Sequence, residues 1–217
     1  MESSAASRPG ALARGRSLRR GGTNGNEQLT AITSVLLIVL LAVLGVTILR
    51  VRQLMWLHLF VGLLLVGPVG LKMGSTGYRF ARYYTRNSTY RTKGPPPPLL
   101  RLLAPGVVLS TVIVFVSGLV LLFAGPAQRG TPLLIHKASF ILWIGVTALH
   151  VLGHLPGLGS TLRGAAAVRE DVGVPGGSSR WLALAGALVA GLVLAIVLIP
   201  DFHTWTASGA FPNHHDQ

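Results

Sequence analysis

Five stretches of this chain run uncharged for the length of a membrane crossing, and charged residues fall at their ends. Between Glu27 and Arg50 lie 22 uncharged residues, between Arg52 and Lys72 there are 19, between Arg101 and Arg129 there are 27, between Lys137 and Arg163 there are 25, and between Arg180 and Asp201 there are 20. A spanning helix needs roughly 17 to 25 apolar residues, and a charged side chain at the bilayer centre costs roughly 2.5 to 3.5 kcal/mol. The pattern predicts an all-α integral membrane bundle with five transmembrane helices, near residues 29–49, 54–73, 104–124, 133–155 and 181–199. On this division residues 1–28 form a disordered basic arm, 29–200 the transmembrane domain and 201–217 a solvated tail on the opposite side of the membrane.

Composition strengthens the same reading. Half of the 217 residues are hydrophobic, 12% are charged and the mean hydropathy is +0.58, which is too apolar for an ordinary soluble domain. A formal charge of +13 would suggest nucleic acid in a soluble protein, but with apolar runs between the charges it points to an anionic membrane surface. The chain contains no cysteine, which excludes disulfides, thiolate-held zinc or iron–sulfur clusters, covalent c-type haem and a cysteine nucleophile. Any metal or haem must use His, Met or oxygen ligands.

The charges also predict an orientation. With a cytoplasmic N-terminus, the inner side holds Arg8, Arg14, Arg16, Arg19 and Arg20 of the arm, Lys72 at the end of the second helix with the six Lys and Arg between it and the third, and Arg163, Arg169 and Arg180. Arg50, Arg52, Arg129 and Lys137 are left outside, so fifteen stand against four, a strong positive-inside bias. The expected location is a bacterial-type plasma (inner) membrane, with the C-terminus outside. The arm lacks a convincing cleavage site and is expected to precede an uncleaved anchor. The segment after the second helix interleaves Tyr78, Phe80, Tyr83, Tyr84 and Tyr90 with arginines ahead of Pro95 to Pro98, and is expected to lie along the membrane interface before an extended proline stretch.

The candidate chemistry lies in the histidines. His58, His136, His150 and His154 fall in or at the ends of spans, where an ionisable group is a functional hypothesis by default. On the fourth helix His150 and His154 follow His136 by 14 and 18 residues, so all three share one stripe. His58 and His136 each enter about four residues into helices running in the same direction, and so at one depth. Two neutral imidazoles at one depth on facing helices are the geometry that clamps a haem iron from both sides. Gly62, Gly67, Gly70, Gly118, Gly145 and Gly153 offer room for a ring, although glycine in membrane helices also serves close packing.

The stretch 57–155, with His58 in L-H-L-F-V-G, His136 in L-L-I-H-K-A-S-F and His150 with His154 in A-L-H-V-L-G-H, resembles the membrane b-type cytochromes. These include the bacterial cytochrome b-561 class, the haem-b subunits of nickel hydrogenases and formate dehydrogenases, and the flavinylation-associated cytochromes. The resemblance implies a four-helix haem-binding core, with His58 and His136 as axial ligands of an outer haem b and His150 as a candidate iron ligand of a second, inner one. It implies an electron-transfer subunit, not itself catalytic, that passes electrons between quinone and a partner oxidoreductase. The second helix offers no second His at the inner level. Three arrangements therefore stay open there: Met73 as the sixth ligand, His154 in a shifted register, or His150 with Lys72 as a polar quinone or anion site. Lys72 is also placed to meet haem propionates or lipid phosphates. His203, just past the fifth helix, is an alternative outer ligand, and only Trp143 among the tryptophans lies deep enough to line a cofactor cavity.

Two other classes compete. A cofactor-free transporter would use His150, His154 and Lys72 for protons or an anion, but the inverted repeats and interrupted helices usual in transporters are absent from the pattern. A membrane scaffold would use the basic inner segment to hold a partner.

Overall fold

The computed structural model describes residues 22–85, 98–167 and 177–207. They form five long helices, α1 (Gly22–Leu49), α2 (Met55–Tyr84), α3 (Pro98–Ala124), α4 (Gly130–Ala167) and α5 (Gly177–Val197). A 3₁₀ turn (Ile199–Phe202) and a one-turn helix α6 (His203–Thr206) follow, and another 3₁₀ turn (Pro126–Gln128) joins α3 to α4. Each long helix contains a stretch apolar and long enough to cross a membrane. Large apolar side chains such as Leu49, Ile141 and Leu182 project outward. In water that surface would be untenable; in lipid it is the expected exterior, and the protein is an all-α, multi-span membrane bundle.

All five helices are longer than the predicted spans, and α3 begins six residues early, at Pro98. α1 begins at Gly22, α2 continues to Tyr84 and α4 to Ala167. The apolar run records only the part that meets hydrocarbon, whereas the helical backbone continues past it, in α2 beyond Gly74 and Gly77. Residues 74–84, expected as an interfacial loop, are therefore the last turns of α2, with Phe80 against Tyr84 (4.5 Å between rings) and the Arg82 guanidinium 5.8 Å from the Tyr78 ring. Pro98 opens α3. The arginines of the arm, Tyr90, Pro95 to Pro97 and the histidines of the extreme C-terminus lie outside the described residues.

The helices associate as two groups. α1 packs on α2 and α2 on α5, while α3 and α4 form a separate antiparallel hairpin. Lesser contacts join α1 to α4 and α2 to α3, and among the described residues α2 and α4 make at most marginal contact. The α2–α5 contact is the closest. A Cβ added at Gly191 would run into the Leu64 carbonyl, and one at Gly67 into the Ala187 carbonyl. Pro68, buried inside α2, explains half of this. Its ring nitrogen has no hydrogen to give the carbonyl four residues back, which is that of Leu64. The bare Cα of Gly191 lets α5 close over that freed oxygen.

The two groups are tied together at the end carrying the short turns. There Phe202 (1% exposed) and Trp205 (4%) pack with Leu122 of α3 and with Met55, Leu59, Phe60 and Leu63 of α2. The Trp205 indole donates to the Leu122 carbonyl (3.2 Å), and Trp56 stacks on Phe60 and meets Phe202 edge-on.

Candidate functional site

Antiparallel helices joined by a short turn bring together residues whose numbers add to a nearly constant value. In the α1–α2 hairpin Thr47 meets His58 and Thr30 meets Ser75. Both pairs centre on the turn at residues 50–54. In the α3–α4 hairpin Ser117 meets His136 and Thr111 meets Trp143, centred on the turn at 125–129. Each hairpin therefore delivers one histidine near its turn, with a hydroxyl from the preceding helix beside it.

His58 sits in the first turn of α2, half-buried, with Nδ1 2.9 Å from Thr47 Oγ1. The Thr47 hydroxyl lies 2.6 Å from the Leu44 carbonyl of its own helix. His136, half-buried on α4, has Nδ1 3.1 Å from Ser117 Oγ, which lies 3.0 Å from the Val114 carbonyl. Its ring rests on the α3 backbone at Gly118, where an added Cβ would come within 3.1 Å of Cε1. The Ser139 hydroxyl donates to the His136 carbonyl (3.0 Å) and stands 3.5 Å from Ser117 Oγ. The two imidazoles belong to different helix groups, near the same end of the bundle.

The remaining stripe of α4 is polar at helical spacing. Trp143 donates its indole N–H to Thr111 Oγ1 (2.9 Å), which donates to the Val107 carbonyl (2.6 Å), so this tryptophan helps clasp α3 to α4. Thr147 follows, its hydroxyl buried without a hydrogen-bond partner among the described residues. His150 is half-buried about 21 Å along α4 from His136, at 1.5 Å per residue over the 14 residues between them. His154 lies on the same helix, but its side chain is outside the described residues.

Lys72 is turned toward α1. Its ammonium donates to Ser34 Oγ (2.6 Å) and the Thr30 carbonyl (3.0 Å), and Ser75 donates back to the Lys72 carbonyl. These bonds staple the end of the α1–α2 hairpin remote from His58. His203 is exposed, and its Nδ1 donates in a short bond to the Pro200 carbonyl.

A haem clamp asks for two neutral imidazole nitrogens, apolar surroundings and room for the ring. The chemistry of the donor set fits. With Nδ1 of each imidazole engaged by a hydroxyl, Nε2 is the nitrogen left for a ligand. Gly62, one turn along α2 from His58, has open space where a Cβ would stand. A bare metal ion has less support, because among the described residues no three His, Asp or Glu side chains gather around one point.

Thr47 and Ser117 are the residues that sequence reasoning missed. Their signal was a hydroxyl inside an otherwise apolar run, equidistant with a histidine from the same turn. No family model matches the chain, and no curated protein or solved structure matches it.

Proposed function

We propose that this protein is a membrane electron-transfer subunit that binds one haem b between Nε2 of His58 and Nε2 of His136. The observation that carries the reading is the matched pair of hydroxyl–imidazole contacts, Thr47 with His58 and Ser117 with His136. Two helix hairpins of dissimilar sequence each present one imidazole in the same manner, near the same end of the bundle. Bound there, haem b supplies a one-electron ferric/ferrous couple. The chain's part is to orient both rings, to offer apolar walls from α2 and α4, and to keep water out through the Phe202 and Trp205 cap. Membrane lipid surrounds the bundle, and quinone and a partner oxidoreductase subunit are the proposed exchange partners in a bacterial-type inner membrane.

The test is a dithionite-reduced minus oxidised spectrum of the purified protein with a pyridine haemochrome assay, compared with His58→Ala and His136→Ala. The expected outcome is a b-type spectrum with about one haem per chain, lost in both variants. A folded, colourless protein, even after expression with added haem, would overturn the reading.

A further inference from the structure

A hydroxyl has one proton to give. At Thr47 it is committed, because the Leu44 carbonyl 2.6 Å away has no hydrogen of its own and so close an oxygen pair requires the Thr47 proton between them. The contact between Thr47 Oγ1 and His58 Nδ1, at 2.9 Å, then needs its hydrogen from the ring. Were Nδ1 the bare nitrogen, two lone pairs would face each other in an apolar setting. Ser117 has the same kinds of neighbour at longer range, the Val114 carbonyl at 3.0 Å and His136 Nδ1 at 3.1 Å, and because Ser139 gives its proton to the His136 carbonyl the Val114 carbonyl is the acceptor for that of Ser117.

Other hydroxyls in these helices show that the imidazole is an added duty. Thr33, Ser34 and Ser110 also donate to a carbonyl three or four residues back, the usual way a hydroxyl is satisfied inside a membrane helix. Thr47 (0% exposed) and Ser117 (7%) do this and also stand within hydrogen-bond distance of a ring nitrogen.

We infer that Thr47 and Ser117 are positioning residues that fix His58 and His136 as their Nδ1–H tautomers, leaving the lone pair of Nε2 as a metal ligand and setting its donor strength. The tuning half of this rests on the haem reading above; the tautomer half does not. A ring N–H donating into a hydroxyl that itself donates to a carbonyl is polarised along the chain. The imidazole becomes a stronger donor, favours ferric over ferrous iron and lowers the reduction potential.

Two measurements separate the halves. In the protein without haem, ¹⁵N NMR of labelled histidine should show Nδ1 protonated and Nε2 bare for both rings. Thr47→Val and Ser117→Ala should each release one ring into a tautomer mixture, and Thr47→Ser should restore the wild-type pattern. In the haem-loaded protein, redox titration of Thr47→Val and Ser117→Ala should give a ferric preference about tenfold weaker, a rise of about 59 mV for a one-electron couple, with Thr47→Ser at the wild-type potential. Haem affinity should fall about 10- to 100-fold in the first two. Protonated Nε2 in the wild type would overturn the inference even if haem binds. Unchanged potentials, with the spectrum still lost in His58→Ala and His136→Ala, would overturn the tuning and leave the haem reading standing. Bare Nε2 in a protein that takes up no haem would uphold the tautomer assignment and sink the haem reading.

Discussion

Pro68 and Gly191 stand on different helices but make one feature. A proline inside a helix costs a hydrogen bond, and in hydrocarbon the freed carbonyl must be met by a neighbouring element. Gly191 provides such an approach to the Leu64 carbonyl, as Gly67 does in the reverse direction toward Ala187. Even the smallest added side chain should therefore be felt. Gly191→Ala should destabilise the detergent-solubilised protein by about 1 to 3 kcal/mol, the usual cost of overpacking. Gly186→Ala, five residues earlier on α5 with open space around its Cβ position, should be nearly neutral. Thermal or SDS unfolding of the two variants measures the contrast, and equal stabilities would mean that α5 can shift away from α2 at little cost. The sequence marked Gly67 and Gly118 as positions of close approach without telling one role from the other. Gly67 serves helix contact and Gly118 makes room for the His136 ring, because what faces a glycine is decided by its partner helix.

Among elements, the five crossings were legible because charge is so costly in hydrocarbon that it punctuates the chain. The grouping into α1–α2–α5 and α3–α4 was not. Lipid is as apolar as leucine, so the face a membrane helix turns to its neighbour carries no hydrophobic contrast with the face it turns outward. Hydroxyl positions were the better guide, since Thr47, Ser117 and Thr111 all lie on contact faces. The tail was also only partly legible. Its aspartate and histidines read as solvated, yet Phe202 and Trp205 turn inward and bridge α2 to α3. Trp205→Ala should therefore cost about 3 to 5 kcal/mol, as for a large aromatic removed from a core. Trp205→Phe, which keeps the ring but loses the bond to the Leu122 carbonyl, should cost nearer 1 kcal/mol. Unfolding in detergent distinguishes these outcomes, and a Trp205→Ala variant as stable as the wild type would show that the segment rests on the bundle without holding it together.

For the molecule as a whole, direction in the membrane decides which compartment the histidine pair faces. His58, His136 and the cap cluster lie near the end with the two short turns, whereas Lys72 and the Arg82 turn of α2 lie toward the other. The proposed orientation, from fifteen basic residues against four, puts the histidine pair near the outer face. Because the chain has no cysteine, single cysteines can report this without background. Thr85 caps the far end of α2 and Ala207 follows the terminal helix, and both are exposed. In intact bacterial cells a membrane-impermeant maleimide should label Ala207→Cys and spare Thr85→Cys until the membrane is opened. The reverse pattern would put the histidine pair near the cytoplasmic face. A partner exchanging electrons directly with the pair would then have to dock from the cytoplasm, and the basic end of α2 would face outward, away from the anionic leaflet its arginines suit.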